Sequence, residues 1–494
     1  MDSFAPLLGL FSSLYPNSPT TPDGIACQLL SDAFNNATIH STNVQYNSLY
    51  TENWSQTAWE SPTCIFQPNT VIELQAAVPI IVNANASFAI RSRGHMPVPH
   101  AASIDAGVLI DLSKFGGTQY HTEKSVAVIG AGQRWADVYS ELDQYEVTVV
   151  GGRDSSPGVG GLILGCGLSY LSDLYGLACD NVVNFEVIIA DGSLINANQD
   201  SNSDLYWALK GGGNNFGIVT AFTLRTYPIF HIWGGTKVYP FEALPDVLDG
   251  LAEFQTNPKK DPYAQFNMDI YVTNKTLGVA LTLAYLKPEE ARTAFAPFFR
   301  LDEMWSAVTD TTSLRTIHNL ISEHSIPSMP RIEWTTTSFQ PSQQLYRSIR
   351  DIFSQSLAVH RLGKLTAGTG AFTLQGISAN AVKAGRRSGG NALGLELVAQ
   401  TWIHTDAGWW FSKDDETAHN SIRSLTNEIE ATAQVQGKYL AYLFMNNADV
   451  SQSVIEHYGE DNIKKLKEVQ QKYDPDAVFQ RLVPGGFKLP QSFG

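Results

Sequence analysis

A chain of 494 residues, 43% hydrophobic and only 16% charged, holds enough apolar material for two or three packed domains and too much for a disordered protein. Its formal net charge of −15, with no lysine- and arginine-rich run to offset it, argues against nucleic acid as a partner. The four cysteines, Cys27, Cys64, Cys166 and Cys179, form no C-x-x-C pair, which argues against a zinc site or thioredoxin-type chemistry.

Along the chain, residues 1–57 read as a lead-in of one helix and polar loops. The stretch MDSFAPLLGLFSSLYP has a short apolar run behind an acidic residue and lacks a basic flank, so it is a poor secretory signal. GIACQLLSDAF places apolar residues at helical spacing. Cys27 and Cys64 lie in this turn-rich region, where a disulfide between them fits. Together with sequons at Asn36, Asn53, Asn85 and Asn274, it weakly favours the secretory pathway and leaves the compartment open. No apolar segment is long enough to span a bilayer.

Over residues 58–229 the texture becomes short β-type segments alternating with helices. VIELQAAVPIIVNAN predicts a helix, and SFAIRS, GVLIDLS and VAVIGAG predict strands. RWADVYSELDQY puts Trp135, Val138, Tyr139 and Leu142 on one helical face, and VNFEVIIADGSLINAN reads as two strands around an Asp-Gly turn. Residues 230–435 differ. FNMDIYVTN, LGVALTLAYL, GAFTLQGIS and GLELVAQTWIH are strand-like, with helices such as SQQLYRSIRDIFSQSL between them, which predicts an antiparallel sheet covered on one side. Residues 436–494 close with an amphipathic helix stopped by Asp-Pro.

Several chemistries are absent from the pattern: there is no P-loop, no H-E-x-x-H and no G-x-S-x-G elbow. GAGQRW and GGGNNFG fail the dinucleotide fingerprint at its third glycine. What stands out is the glycine-rich run GGRDSSPGVGGLILGCGLSYLSDLYGLACDNV, from Gly151 to Val182. Its bare amides can wrap a diphosphate, although the same glycines also serve turns. The other feature is AIRSRGHMPVPH, where a strand delivers His95 into a tight cationic loop. By itself His95 reads as a structural histidine or a ligand, Arg91 and Arg93 fit an anion, and no acidic partner nearby points to a metal.

RSRGH after a short strand, VLIDLSKF, the glycine run continuing into NFEVIIADGS, and SDLYWALKGGGNNFGIVTAFTLRTYP resemble, in that order, the flavin domain of berberine-bridge-enzyme-like oxidases of the vanillyl-alcohol-oxidase superfamily. FMNNAD and YGEDNIKKLKEVQQKYDPDAVF resemble that family's closing segment. The resemblance implies an α+β fold: a two-part PCMH-type FAD-binding domain, residues 58–229 with 436–494, around the antiparallel-sheet substrate domain. It implies FAD bonded covalently through His95. It also implies that the backbone of Arg91, Ser92, Arg93, Gly94, Gly158, Gly160, Gly161 and Gly165 holds the diphosphate, and that Asp180, Asn181, Gly217, Ile218 and Asn446 lie along the rest of the cofactor.

The departures shape the expected chemistry. Relatives with a second flavin bond carry a cysteine where this chain has Asp154, so one covalent bond is expected; Cys166 reads as a packing residue. The family's Asn-Tyr pair is here Asn446–Asn447, and an amide cannot take a proton as a phenolate can. His404 is then the best titratable candidate, on a strand face shared with Gln400, Trp402 and, further back, Glu396; Tyr170 is a second. The expected enzyme is an oxidase, a monomer or homodimer, whose cleft, lined by Trp402, suits a small hydrophobic or aromatic secondary metabolite ahead of a carbohydrate. It takes a hydride from the substrate and uses molecular oxygen as acceptor. The alternatives are a flavin-containing cyclase without net redox and, less favoured, a flavin-binding module without catalysis.

Overall fold

The computed structural model describes residues 20–274, 276–308, 314–323 and 329–490; the stretch read as a poor signal lies outside them. In the lead-in, helix α1 (Pro22–Ala33) starts where the Thr21 hydroxyl accepts the Gly24 N–H, and it buries Ala26, Cys27 and Leu30. Strand β1 (Thr38–His40) then pairs antiparallel with β2 (Cys64–Phe66). The Cys27–Cys64 disulfide ties α1 to β2, so the lead-in is part of the first sheet. Helix α2 (Val71–Asn83) buries Leu74, Ala77, Val78 and Ile81, an i, i+3, i+4, i+7 stripe. Strands β3 (Phe88–Arg91) and β4 (Val108–Asp111) complete a four-stranded sheet of order β1-β2-β4-β3, in which β2, β4 and β3 run parallel.

The second sheet uses β5 (Thr118–His121), β6 (Val126–Gly130), β7 (Thr148–Val149), β8 (Val182–Ile188), β9 (Leu194–Asn198) and β10 (Ile218–Tyr227). Its order is β5-β6-β10-β8-β9, antiparallel throughout, with β7 beside β10. Helix α3 (Trp135–Asp143) buries the four residues its sequence spacing put on one face, and α4 (Val159–Leu164) forms within the glycine run.

The third sheet has nine strands: β11 (Ile232–Pro240), β12 (Ala264–Thr273), β13 (Leu277–Tyr285), β14 (Trp305–Ser306), β15 (Leu314–Arg315), β16 (Arg331–Phe339), β17 (Thr369–Ile377), β18 (Gln400–Trp409) and β19 (Tyr439–Leu440). The order is β14-β11-β13-β12-β17-β18-β16-β19, with β15 on β11. Strand alternation sorts its faces. Met268, Ile270, Phe372, Leu374 and Ile403 join one core with the apolar stripes of α5 (Gln343–Gln355) and α6 (Asp415–Val435). The alternate residues turn to the flavin-type half. Helix α7 (Glu460–Tyr473) returns to that half, burying Ile463, Leu466, Val469 and Tyr473 in the core shared by the first two sheets.

One strand is shorter than its sequence reads. In GLELVAQTWIH the pairing begins only at Gln400, because the chain turns at Gly394 (φ +69°), where a Cβ would lie 2.3 Å from the Tyr458 carbonyl. Glu396 therefore sits in an exposed loop, off the face it was expected to share with His404.

Candidate functional site

The loop after β3 is fixed from below. The Arg91 guanidinium, 1% exposed, pairs with Asp111 at 2.7 Å and donates to the Leu49 carbonyl and to Asn53 Oδ1 at 2.8 and 3.2 Å. It is therefore unavailable to an anionic ligand, correcting the expectation drawn from its charge. Burial pushes the Asp111 carboxyl up, but Arg91 and Ser113 outweigh it and the net shift is downward. Beyond Arg91, Gly94 takes a left-handed φ of +61° and its carbonyl accepts the Trp54 N–H at 2.9 Å.

That turn presents His95 between two indoles. Its ring stacks on Trp54 at 4.3 Å, and Trp334 of β16 lies 6.1 Å away. His95 Nδ1 is 3.4 Å from the Ser156 hydroxyl, which bonds Asp154 Oδ1 at 2.7 Å. The ring is partly exposed at its surface but has protein around it. Burial, with the Arg134 charge, lowers its pKa to about 3, so it is neutral at physiological pH.

The glycine run faces this loop. A Cβ on Gly158 would lie 2.4 Å from Ser92 Oγ and 3.0 Å from the Arg93 nitrogen; one on Gly160 would lie 3.2 Å from the Ala131 carbonyl. A Cβ on Gly161 meets nothing within 4 Å, and one on Gly165 would lie 2.0 Å from Asn446 Oδ1. Two backbones thus pass at glycine distance beside open space, with Asn446 braced against Gly165 and donating to the Leu162 carbonyl at 3.1 Å. Ser92 and Arg93 bond the Ala131 and Gly132 carbonyls at 2.6 Å each.

Cys166 is no mere packing residue: it is disulfide-bonded to Cys179, with Cα atoms 4.7 Å apart. Its backbone, at φ +55°, turns the glycine run back toward the segment that carries Asp180 and Asn181. Asp180 accepts from the Leu177 N–H and from Asn391 at 2.9 Å each, and Asn181 donates to the Tyr175 and Leu177 carbonyls at 3.0 and 2.8 Å. Gly217 and Ile218 sit at the start of β10 against Val187 and Ile188. Opening this cross-link with Cys179→Ser should destabilise the protein by about 3 kcal/mol, the loop-entropy value for a closed loop near 15 residues. A denaturant midpoint unchanged from wild type would contradict that.

The third sheet supplies the opposite wall. Asp269, Thr373, His404 and Thr336 stand in cross-strand register on β12, β17, β18 and β16. Thr373 donates to Asp269 Oδ1 at 2.7 Å, and burial raises the Asp269 pKa. His404 Nδ1 lies 3.4 Å from Asp406 Oδ2, outside hydrogen-bond geometry but within ion-pair range once the ring is protonated, and its ring meets Trp334 edge-on at 6.2 Å. Histidines from two distant segments thus flank one indole.

Trp402, expected to line the cleft, is completely buried against Tyr442 and Phe444; the aromatic rings beside His95 are the half-buried Trp54 and the buried Trp334. Tyr170 is buried, with Arg153 5.9 Å above its ring, and burial pushes its phenol well up, away from service as a base at neutral pH. Sequence reasoning missed Trp54, Arg153, Asp269 and Trp334. The one local signal was Asp269, an acid alternating with the apolar positions of a strand. Among the described residues, no group of three or more His, Cys, Asp or Glu is placed to hold a metal. No described helix is long and apolar enough to cross a membrane.

Comparison with known proteins matches residues 62–198 to a family model described as FAD binding domain, and residues 441–481 to one described as berberine and berberine like. Over 94% of its length the chain is 34% identical to the bifunctional solanapyrone synthase of Alternaria solani, covering 89% of that protein. Over 94% of both chains it is 33% identical to the FAD-dependent monooxygenase prx3 of Penicillium roqueforti. This chain is a berberine-bridge-enzyme-like FAD-linked oxidoreductase. The fold matches 6-hydroxy-D-nicotine oxidase from Arthrobacter nicotinovorans at a TM-score of 0.75 and 19% identity, covering 92% of this chain and 98% of that one. It also matches berberine bridge enzyme from Eschscholzia californica at a TM-score of 0.70 and 16% identity, covering 94% and 100%.

The site of this berberine-bridge-like enzyme fits FAD on its own geometry. A side chain at Gly158 would collide with Ser92, one at Gly165 with Asn446, and one at Gly160 would crowd the Ala131 carbonyl, while the space beside Gly161 is open for a diphosphate along bare backbone. Two buried nitrogens at the far wall, Trp334 Nε1 and His404 Nδ1, have no hydrogen-bond partner among the described residues.

Proposed function

We propose that this flavoenzyme oxidises a small organic, secondary-metabolite-type substrate, with FAD held through His95 and oxygen as the electron acceptor. The observation that carries the reading is the neutral His95 imidazole, beside the glycine run and separated from the His404 register by Trp334. Bound FAD would supply the hydride acceptor whose electrons oxygen then collects. The protein's part is to place the substrate and take its proton.

The half-buried Trp54, backed by Trp334, offers an apolar, aromatic edge against which a flat substrate can lie. His404 is the proton acceptor: with Nδ1 turned toward Asp406, Nε2 takes the proton, and the imidazolium is then flanked by the Asp406 carboxylate. Ser156 and Asp154 orient His95 from the side. The two fungal relatives, a bifunctional solanapyrone synthase and an FAD-dependent monooxygenase, support secondary metabolism as the setting.

Acid precipitation tests the attachment. Flavin colour should stay in the wild-type pellet and wash out of His95→Ala, and colour retained by the variant would end the assignment. Anaerobic substrate should bleach the flavin; product formed without bleaching would establish the cyclase reading instead.

A pH result follows from the lowered His95 pKa. At pH 5 an ordinary imidazole is only about 3% neutral, whereas one with a pKa of about 3 remains the free base. Covalent incorporation of FAD into apoprotein should therefore run at a constant rate from pH 5 to 8. A fall of about 30-fold toward pH 5 would show an ordinary imidazole.

A further inference from the structure

Arg153 is a guanidinium between the glycine run and the third sheet with no charged partner. It donates to Asn267 Oδ1 at 3.0 Å and to Gln375 Oε1, both neutral amides, and stands over the Tyr170 ring. No carboxylate of the described residues comes within the 4.0 Å of an ion pair. Two of its five N–H groups are engaged. Arg153 is partly exposed but surrounded by protein, and a cation desolvated in this way without a counter-charge is costly, which is why such arginines are normally paired.

The nearest acids do not supply that charge. Asp154, its chain neighbour, is bonded to Ser156, and Asp269 is bonded to Thr373. Burial raises the pKa of both carboxyls, and neither lies within ion-pair distance of Arg153. The Arg153 contacts also fall on the face that carries His404. Asn267 is two residues from Asp269 on β12, Gln375 two from Thr373 on β17, and Asp269, Thr373 and His404 share one register. Same-face neighbours along a strand are roughly 7 Å apart. Gln375 in turn donates to Asn447 at 3.3 Å, linking the arginine to the Asn446–Asn447 pair.

We propose that Arg153 is the substrate's anion subsite: the enzyme takes a molecule with a negative charge delocalised over two oxygens, a carboxylate or the enolate of a 1,3-dicarbonyl, roughly one register from the carbon His404 serves. A planar two-oxygen anion matches the guanidinium fork, and it would replace the missing counter-charge. This rests on the oxidoreductase reading of the same cavity and adds the substrate's charge class to it.

The experiment titrates flavin-loaded enzyme with benzoate, with neutral benzamide and with dimedone at a pH where it is the enolate, following the visible flavin band. Benzoate or dimedone should give a saturable shift in wild type. Its Kd should rise at least tenfold in Arg153→Gln and only severalfold in Arg153→Lys, while benzamide is indifferent to either change. A response to benzoate alone or to dimedone alone supports the subsite and identifies its anion. No saturable response in wild type, equal affinities in wild type and Arg153→Gln, or a parallel loss of benzamide binding each overturns it. So does a changed flavin potential in Arg153→Gln with anion affinity intact, which would assign the charge to the cofactor. A wild-type protein that holds no flavin would instead sink the oxidoreductase reading.

Discussion

His404→Ala should lower the rate of anaerobic flavin reduction by substrate about 10²- to 10⁴-fold at pH 7, the usual contribution of a positioned general base. Flavin content should be unchanged, because His404 belongs to the third sheet and touches none of the glycine-run backbone proposed to hold the cofactor. The loss should fall in kcat more than in KM, since the proton is taken in the transition state rather than on binding. Asp406→Asn, which keeps the shape but removes the charge beside the imidazolium, should lose less than His404→Ala. Stopped-flow reduction of each variant decides the matter. A His404→Ala enzyme reduced at the wild-type rate would move the proton acceptor to another group in the register, with Asp269 next in line.

Arg91→Met should destabilise the protein by about 3–5 kcal/mol, because it leaves Asp111 buried with its strongest partner gone. Gln67 Nε2 and the Ser113 N–H still reach the Asp111 carboxylate, at 3.0 and 2.8 Å, but neither carries charge. The sign of the pH dependence follows from the lowered Asp111 pKa. The ion pair's contribution is complete above the unfolded carboxyl value of about 4 and is lost as the pH falls through the lower folded value. Denaturation at pH 7 therefore reads the whole effect. The same substitution should slacken the turn that carries Trp54 and His95, since Arg91 also holds the Leu49 carbonyl and Asn53. Flavin bound by Arg91→Met should be easier to extract than from wild type. Full stability in this variant would show that the pair is not what fixes the loop.

The sequons are judged by the same packing. Asn53 is 2% exposed and donates to the Ala58 carbonyl, so it carries no glycan in this fold, whereas Asn36, Asn85 and Asn274 are at the surface.

What was legible in the sequence was local or carried by ordered motifs. Helical stripes such as Trp135, Val138, Tyr139 and Leu142 are written in 3.6-residue spacing, and the Asp-Gly turn between β8 and β9 in its own two residues. The glycine run and the RSRGH segment together marked the flavin half, because only residues without a Cβ allow two backbones this close.

What remained hidden depended on partners far away in the chain. Arg91 and Arg153 are both arginines near glycines, yet one is neutralised by Asp111 and the other hydrogen-bonds only amides more than 100 residues away. Trp402 and Trp334 are both strand tryptophans. Both lie on the sheet face that carries His404, and what packs over each separates them: Tyr442 and Phe444 cover the first, while the second lies against His95. The same holds for Cys166: its sequence marks it as one more small residue in a glycine run, and only the left-handed turn at that position brings it to Cys179. By itself the sequence determined the family, the cofactor class and those helices whose apolar stripes repeat at 3.6-residue spacing. The tertiary structure decided which charges are neutralised and which side chains face the substrate, because neutralisation and exposure depend on what packs opposite.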